Sequence, residues 1–143
     1  MRLTTFTDYS LRVMIYLGLQ DNRIVTISDI AEAYGVSRNH LMKVVHYLGQ
    51  QGYIETQRGK SGGLRLVRPP EDINLGRLVR DTEANTVLLE CFEPETSQCR
   101  IEPVCILRGI LGRSLQAFFA VLDEYTLADV LNNRTQLAQI LNG

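Results

Sequence analysis

The amino-acid sequence predicts a mainly α-helical protein with a small β-hairpin wing, in which a winged helix-turn-helix is followed by a long C-terminal dimerisation helix. Two amphipathic segments meet at the tight turn Gly35-Val36-Ser37, as in a helix-turn-helix. Two strand-like runs then flank a glycine-rich tip, and residues 107–125 carry a strongly helical apolar pattern. At 143 residues, the chain is long enough for one domain with its own core.

The first helix is predicted over residues 7–19, with Thr7 as its N-cap. Its apolar side chains recur with the period of one buried helical face. These side chains are Phe6, Tyr9, Val13 and Leu17.

The second and third helices form the predicted helix-turn-helix. Ser28 begins the second helix, which runs to Tyr34, and Gly35 follows as the expected C-cap glycine. The third helix starts after Ser37 and covers residues 38–50. Its buried side is predicted to consist of Leu41, Val44, Val45 and Leu48.

The later elements follow from turn and cap signals. Strands are predicted at residues 53–57 and 64–67, and the loop between them holds three glycines and two cations. Asn74 caps a helix that extends to about residue 82, Thr126 caps a single turn, and a last helix covers residues 134–141.

These elements predict four functional regions along the chain. Residues 1–68 form the winged helix-turn-helix and residues 69–90 a connecting helix. Residues 91–105 are expected to form a ligand-binding loop, and residues 106–143 the dimerisation helix with the C-terminal helices.

The start of the third helix and the hairpin tip carry the residue types that contact DNA. Arginine and lysine reach phosphate or guanine, asparagine suits adenine, and histidine can donate or accept. Each residue alone is more often an ordinary surface residue, but their joint position favours double-stranded DNA as the partner. The predicted contacts are Ser37, Arg38, Asn39, His40, Lys43, Arg58, Gly59 and Lys60.

Charge is divided unevenly between the two halves of the chain. Residues 1–68 hold nine Lys or Arg and five Asp or Glu, whereas residues 69–143 hold six and eleven. The basic half suits phosphate contact, and the acidic half suits assembly or sensing. Because one recognition helix reads few base pairs, we expect a homodimer on a palindromic operator, held together by the long apolar helix.

No apolar run approaches the roughly 20 residues of a membrane span, and the N-terminus lacks the pattern of a secretory signal. We therefore expect a cytoplasmic protein with no membrane partner. The sequence also has no glycine-rich nucleotide loop, nucleophile-base pair or substrate domain, so an enzyme is not expected.

The only three cysteines, Cys91, Cys99 and Cys105, share one short polar segment. Disulfides are unusual in a reducing compartment, and an odd number of cysteines leaves one thiol unpaired. Structural zinc sites usually have closer cysteine pairs, and buried packing thiols seldom have such polar neighbours. An iron-sulfur cluster needs about four ligands, so three thiolates leave one position for an oxygen ligand. The segment's glutamates or an acid elsewhere could supply it.

With these features, the chain resembles the Rrf2 family of winged-helix iron-sulfur regulators, and most of all its nitric-oxide-sensing repressors. The matching stretches are residues 3–12, 34–41, 58–66 and 125–129. The resemblance implies a homodimer with one cluster per subunit, held by the three cysteines. In the nitric-oxide sensors a fourth ligand comes from the first helix of the other subunit, and that ligand matches Asp8 here.

The resemblance also defines what the site is expected to do. Arg12, four residues after Asp8, could orient that carboxylate as an outer partner of the cluster. We expect a 4Fe-4S cluster, with 2Fe-2S as the alternative, and release of DNA when nitric oxide dismantles it. The alternative function is a general redox or cluster-status sensor. Two alternatives belong to other functional classes: a zinc-stabilised interaction domain and an electron-transfer protein.

Two departures from the family pattern bear on the subtype. Cluster-assembly regulators of the family carry a histidine ligand where this chain has Leu107. The interval between Cys91 and Cys99 is longer than usual for the family, which leaves the cluster type open.

Overall fold

The structure, a computed structural model, describes residues 1–143. It is mainly α-helical with one two-stranded antiparallel sheet, as the sequence predicts. Single 3₁₀ turns lie at Pro70–Asp72, Glu90–Phe92 and Glu102–Val104. The helices and strands are α1 (Thr5–Leu19), α2 (Ile27–Tyr34), α3 (Arg38–Gln50), β1 (Ile54–Gln57), β2 (Gly63–Leu66), α4 (Leu75–Thr82), α5 (Ile106–Asp123), α6 (Leu127–Val130) and α7 (Arg134–Asn142).

Helix α1 begins two residues earlier than predicted, and the N-cap prediction was wrong. Thr4 is the N-cap, and its hydroxyl accepts a hydrogen bond from the backbone N–H of Thr7. Thr7 itself is fully buried inside the first turn. Judged from the local sequence, Thr4 and Thr7 are equally good N-cap candidates. Only the tertiary environment of the two hydroxyls distinguishes them.

The helix-turn-helix forms largely as predicted. Helix α2 begins at Ile27 rather than Ser28, because Thr26 and Asp29 form a capping box that fixes the start of the helix. Gly35 ends α2 with a φ of 64°, a left-handed conformation that suits glycine. Ser37 then precedes α3, whose bounds match the prediction.

The hairpin pairs Ile54 with Leu66 and Gln57 with Gly63. This register buries Ile54, Leu64 and Leu66 on the side that faces the helices. The tip of the hairpin projects beyond the paired residues.

The core lies between α1, α2, α3 and the hairpin, and the C-terminal segment closes it. A Cβ atom at Gly18 would overlap Leu131, so glycine permits the close approach of α1 to this segment. Arg134 donates hydrogen bonds to the carbonyls of Gly18 and Leu19, 2.9 and 3.0 Å long, and so satisfies free carbonyls at the end of α1. The largest fully buried side chains are Met14, Ile30, Leu41, Leu48, Ile54, Ile73, Leu78 and Leu127.

The end of α5 is fixed on α4. Arg80 forms a two-pronged ion pair with Asp123, with N–O distances of 2.6 and 2.9 Å, and its guanidinium lies 4.4 Å from the centre of the Phe119 ring. Asn74 caps α4 as predicted and also donates to the carbonyl of Asp123. No helix of the structure is both long and apolar enough to cross a membrane.

Candidate functional site

The predicted recognition helix presents its first turn to solvent. Ser37, Arg38, Asn39 and His40 are exposed, and so is Lys43 one turn later. The hydroxyl of Ser37 makes no capping hydrogen bond, which leaves it free for a phosphate oxygen. Arg38 and Lys43 take part in no salt bridge within the protein. The apolar side of α3 is buried at the four predicted positions, and this burial directs the polar side outward.

The wing tip is exposed and held in shape by its glycines. Gly59 has a φ of 103°, which a larger residue adopts only with strain, and its carbonyl accepts a hydrogen bond from the N–H of Gly62. A Cβ at Gly62 would overlap the backbone of Gln57. Arg58 and Lys60 at this tight tip are exposed, and neither takes part in a salt bridge.

The three cysteines lie between α4 and α5, and all are free thiols. Cys91 is buried in the 3₁₀ turn Glu90–Phe92, and its carbonyl accepts a hydrogen bond of 3.0 Å from Nε of Arg108. Cys99 and Cys105 are partly exposed, and Cys105 is the N-cap residue of α5. Soft thiolates are the donors that iron-sulfur clusters prefer, so the chemistry of this set fits such a cluster.

The single chain does not assemble these donors into a complete site. No group of three or more His, Cys, Asp or Glu side chains lies together in a way that could hold a metal ion.

Asp8 and Arg12 are brought together on the exposed side of α1. Both guanidinium nitrogens that face Asp8 donate to its carboxylate. The guanidinium also lies 5.6 Å from the ring centre of Tyr9 and 5.8 Å from that of Tyr34. The Tyr34 hydroxyl donates to the carbonyl of Arg12, and burial, opposed by the Arg12 charge, raises the pKa of Tyr34 to about 12. Arg12 thus has a fixed orientation toward Asp8.

A contact also joins α1 to the recognition helix. The rings of Tyr9 and His40 meet edge to face, with their centres 5.7 Å apart. The residue that follows Asp8 in α1 therefore contacts one of the predicted DNA-reading residues.

One buried carboxylate, Glu83, lies against the N-terminus of α1 and could not be predicted from the sequence. Glu83, just after α4, is 9% exposed and accepts hydrogen bonds from Thr4 and Thr7. Burial alone would raise the pKa of Glu83, but the hydrogen bonds from Thr7 and Thr4 outweigh it and lower the pKa below its usual value. Because its partners are 76 and 79 residues away, no local pattern marks it.

Comparison with known proteins identifies the family. A family model described as Rrf2, iron-dependent transcriptional regulator, matches residues 3–133. The chain belongs to the Rrf2 family. Among curated relatives of this Rrf2 protein, the HTH-type transcriptional regulator NsrR of Bacillus licheniformis is 47% identical over 99% of this chain and 100% of the relative. The protein of the same name from Bacillus subtilis is 49% identical over 99% of this chain and 97% of the relative.

A solved structure supports the same fold. A candidate transcriptional regulator from Listeria innocua is 28% identical and superposes with a TM-score of 0.76, covering 92% of this chain and 86% of that protein. The predicted winged-helix fold and the predicted family are confirmed. This Rrf2 protein is a DNA-binding transcriptional regulator.

Proposed function

We propose that this protein is a homodimeric repressor whose iron-sulfur cluster senses nitric oxide in the cytoplasm. The observation that carries the proposal is the placement of all three cysteines, as free thiols, in one segment that leads into α5. The family is one of iron-dependent regulators, which supports this segment as the place where the iron-sulfur cluster binds. Nitric oxide as the signal rests on the resemblance to the family's nitric-oxide sensors, and relatives named NsrR agree with it.

The proposed ligands are Cys91, Cys99, Cys105 and Asp8 of the partner subunit. When bound, the cluster, which we propose to be 4Fe-4S, supplies an iron with one weak oxygen ligand, where nitric oxide can react. A carboxylate is a harder and weaker ligand for iron than a thiolate, so the position held by Asp8 is the labile one. The fork from Arg12 fixes the orientation of Asp8 and leaves each carboxylate oxygen a free lone pair for a metal.

The proposed dimer interface is the unpartnered face of α5. Ile106 is 81% exposed, and Leu107 and Ile110 are more than half exposed. Exposed apolar side chains in such a row are typical of an interface between subunits. The resemblance implies that in such a dimer the first helix of each subunit lies near the cysteine segment of the other.

The proposed DNA contacts are the exposed residues of α3 and the wing. Two copies related by the dimer axis would read the half-sites of a palindromic operator, about one DNA turn apart or a multiple of it. In this division of the chain, residues 1–68 bind DNA and residues 106–143 assemble the dimer. Residues 69–90 connect these regions to the cluster loop at residues 91–105.

The proposed response to the signal starts at Asp8. A carboxylate bound to the partner's cluster would hold α1 against the dimer. Without that bond α1 would be free to move, and it packs on α3 through the Tyr9–His40 contact and the shared core. The recognition helices then change spacing, and the population shifts away from the DNA-binding arrangement.

Anaerobic purification followed by iron and sulfide analysis tests the proposal. We expect iron with acid-labile sulfide, tight operator binding, and loss of both the visible absorbance and the DNA complex on titration with nitric oxide. Zinc without iron would overturn the proposal, as would cluster-free protein that binds the operator as tightly as loaded protein. A response to oxygen but not to nitric oxide would support a general redox sensor instead.

A further inference from the structure

The carboxylate of Glu83 lies against the N-terminus of α1. Its Oε2 atom accepts a hydrogen bond of 3.0 Å from the backbone N–H of Thr4, another of 3.0 Å from the Thr4 hydroxyl, and one of 2.6 Å from the Thr7 hydroxyl. No lysine or arginine pairs with Glu83. Hydrogen bonds from α1 therefore provide the compensation that a buried charge requires.

These contacts complete the cap of α1 from another helix. In an ordinary capping box, the N-cap side chain binds the N–H of the third helical residue, whose own side chain returns to the N-cap N–H. Here Thr4 makes the first bond, but the third residue is Thr7, and its side chain does not return to the Thr4 N–H. Glu83 supplies the missing acceptor and places a negative charge at the positive end of the helix dipole.

The neighbouring turn of α4 makes a second set of contacts. The Tyr53 hydroxyl donates to the carboxylate of Asp81, and the Tyr47 hydroxyl donates to the Asp81 carbonyl. Tyr47 belongs to α3, and Tyr53 immediately precedes β1 of the wing. The end of α4 thus contacts both elements that carry the proposed DNA contacts.

The chain leads directly from this turn to the cysteines. After Glu83, an irregular stretch reaches the 3₁₀ turn Glu90–Phe92, which contains Cys91. Residues 84–89 therefore link the end of α4 directly to the cysteine segment, whose other end leads into α5.

We propose that residues 81–83 couple the cysteine segment to the DNA-reading elements. Glu83 is a positioning residue for the turn of α1 that carries Asp8, and Asp81 is a positioning residue for α3 and the wing. What the coupling transmits rests on the proposed function, whereas the cap of α1 by Glu83 does not.

Hydrogen-deuterium exchange of cluster-free, full-length protein tests the cap on its own. Glu83→Ala should speed exchange of the amides in residues 4–10 by roughly fivefold, the effect of losing a cap. Glu83→Gln keeps an acceptor oxygen but loses the charge, so its exchange should lie between the wild-type rate and that of Glu83→Ala. Glu71→Ala removes an exposed glutamate as a control. Thr7→Val removes one donor and should act like Glu83→Ala in weaker form, whereas Thr7→Ser should not. Exchange in Glu83→Ala equal to that in Glu71→Ala overturns the cap.

Operator affinity with and without the cluster tests the coupling. The ratio of the two affinities should fall by roughly three- to thirtyfold in Glu83→Ala and in Tyr53→Phe, and by less in Glu83→Gln, which keeps an acceptor oxygen. An unchanged ratio in Glu83→Ala, together with faster exchange in α1, overturns the coupling. If the wild-type ratio is itself near one, the proposed function fails, and the exchange measurement alone decides the role of Glu83.

Discussion

Arg12 holds both carboxylate oxygens of Asp8, with Nε 2.9 Å from Oδ1 and Nη2 3.0 Å from Oδ2. The two residues are one helical turn apart, and the rings of Tyr9 and Tyr34 flank the guanidinium. A half-exposed pair of this kind adds only about 0.3–0.5 kcal/mol to the stability of the helix. Its main effect is to fix the direction of the carboxylate.

Arg12→Lys should therefore change the cluster more than the fold. Lysine keeps the charge but cannot donate two parallel N–H groups to one carboxylate. We expect the free energy of unfolding of the cluster-free protein to fall by no more than about 1 kcal/mol, from the lost ion pair and ring contacts. The rate of the loaded protein's reaction with nitric oxide, followed by visible absorbance, should change in the same direction as in Asp8→Ala. Equal reaction rates for wild type and both variants would remove this pair from the site.

Removing any one cysteine should abolish the cluster and regulated DNA binding together. Cys91→Ala, Cys99→Ala and Cys105→Ala each leave two thiolates, too few to hold an iron-sulfur cluster. Visible absorbance and an operator mobility shift should both be lost after anaerobic purification. Cys91 is also buried, so circular dichroism must show that its variant still folds. Regulated binding that persists in all three variants would refute the sensor.

The helix-turn-helix could be predicted closely because its signals are local. The cap glycine Gly35 and the apolar spacing of α3 each depend on a few adjacent residues. Helix α1 starts two residues earlier than the sequence predicts, and its N-cap Thr4 also bonds to Glu83, which is distant in sequence. A threonine four residues into the chain and another at position seven carry the same local signal.

The candidate site divides in the same way. The Asp8–Arg12 pair follows from helical spacing, and the structure shows it. The relative positions of the three cysteines could not be predicted from their spacing in the sequence. Residues 91–105 are held mainly by single turns and make few core contacts. The hydrogen bonds of Asp81 and Glu83 join distant elements and have no signature in either sequence segment.

Arg38→Ala and Lys60→Ala should differ in their effect on DNA binding. Arg38 lies in the exposed first turn of α3, where side chains reach base edges, so its loss should cost about 1–3 kcal/mol and relax specificity. Lys60 lies at the wing tip and should contact phosphate, so its loss should weaken binding to all sequences and reduce the salt slope by about one. Fluorescence anisotropy with operator and scrambled DNA at several salt concentrations measures both effects. The same loss of affinity on every DNA in both variants would contradict these roles.

Gly76→Ala should destabilise the contact between α4 and α5. A Cβ at Gly76 would overlap the carboxylate of Asp123, which Arg80 holds in place. We expect a loss of about 1–3 kcal/mol in the free energy of unfolding, the usual cost of overpacking. Gly49→Ala is the control, because its Cβ would have only ordinary contact with the carbonyl of Ile54. Urea denaturation measures both, and equal stabilities would mean that α5 can move away from α4 without cost.

Low pH should reduce the free energy of unfolding, because it protonates the Glu83 carboxylate. Its folded-state pKa is lower than the usual 4.5, so the carboxylate adds stability that is complete above that value. The contribution is lost as the pH falls through the lower, folded pKa, because protonation turns an acceptor of three hydrogen bonds into a neutral acid. Urea denaturation of cluster-free protein at a series of pH values should show a steeper loss below pH 4.5 for wild type than for Glu83→Gln, which cannot titrate. Arg80 likewise lowers the pKa of Asp123, so Asp123→Asn separates that second contribution. Identical acid profiles for wild type and Glu83→Gln would show that the Glu83 carboxylate is not held by α1 in solution.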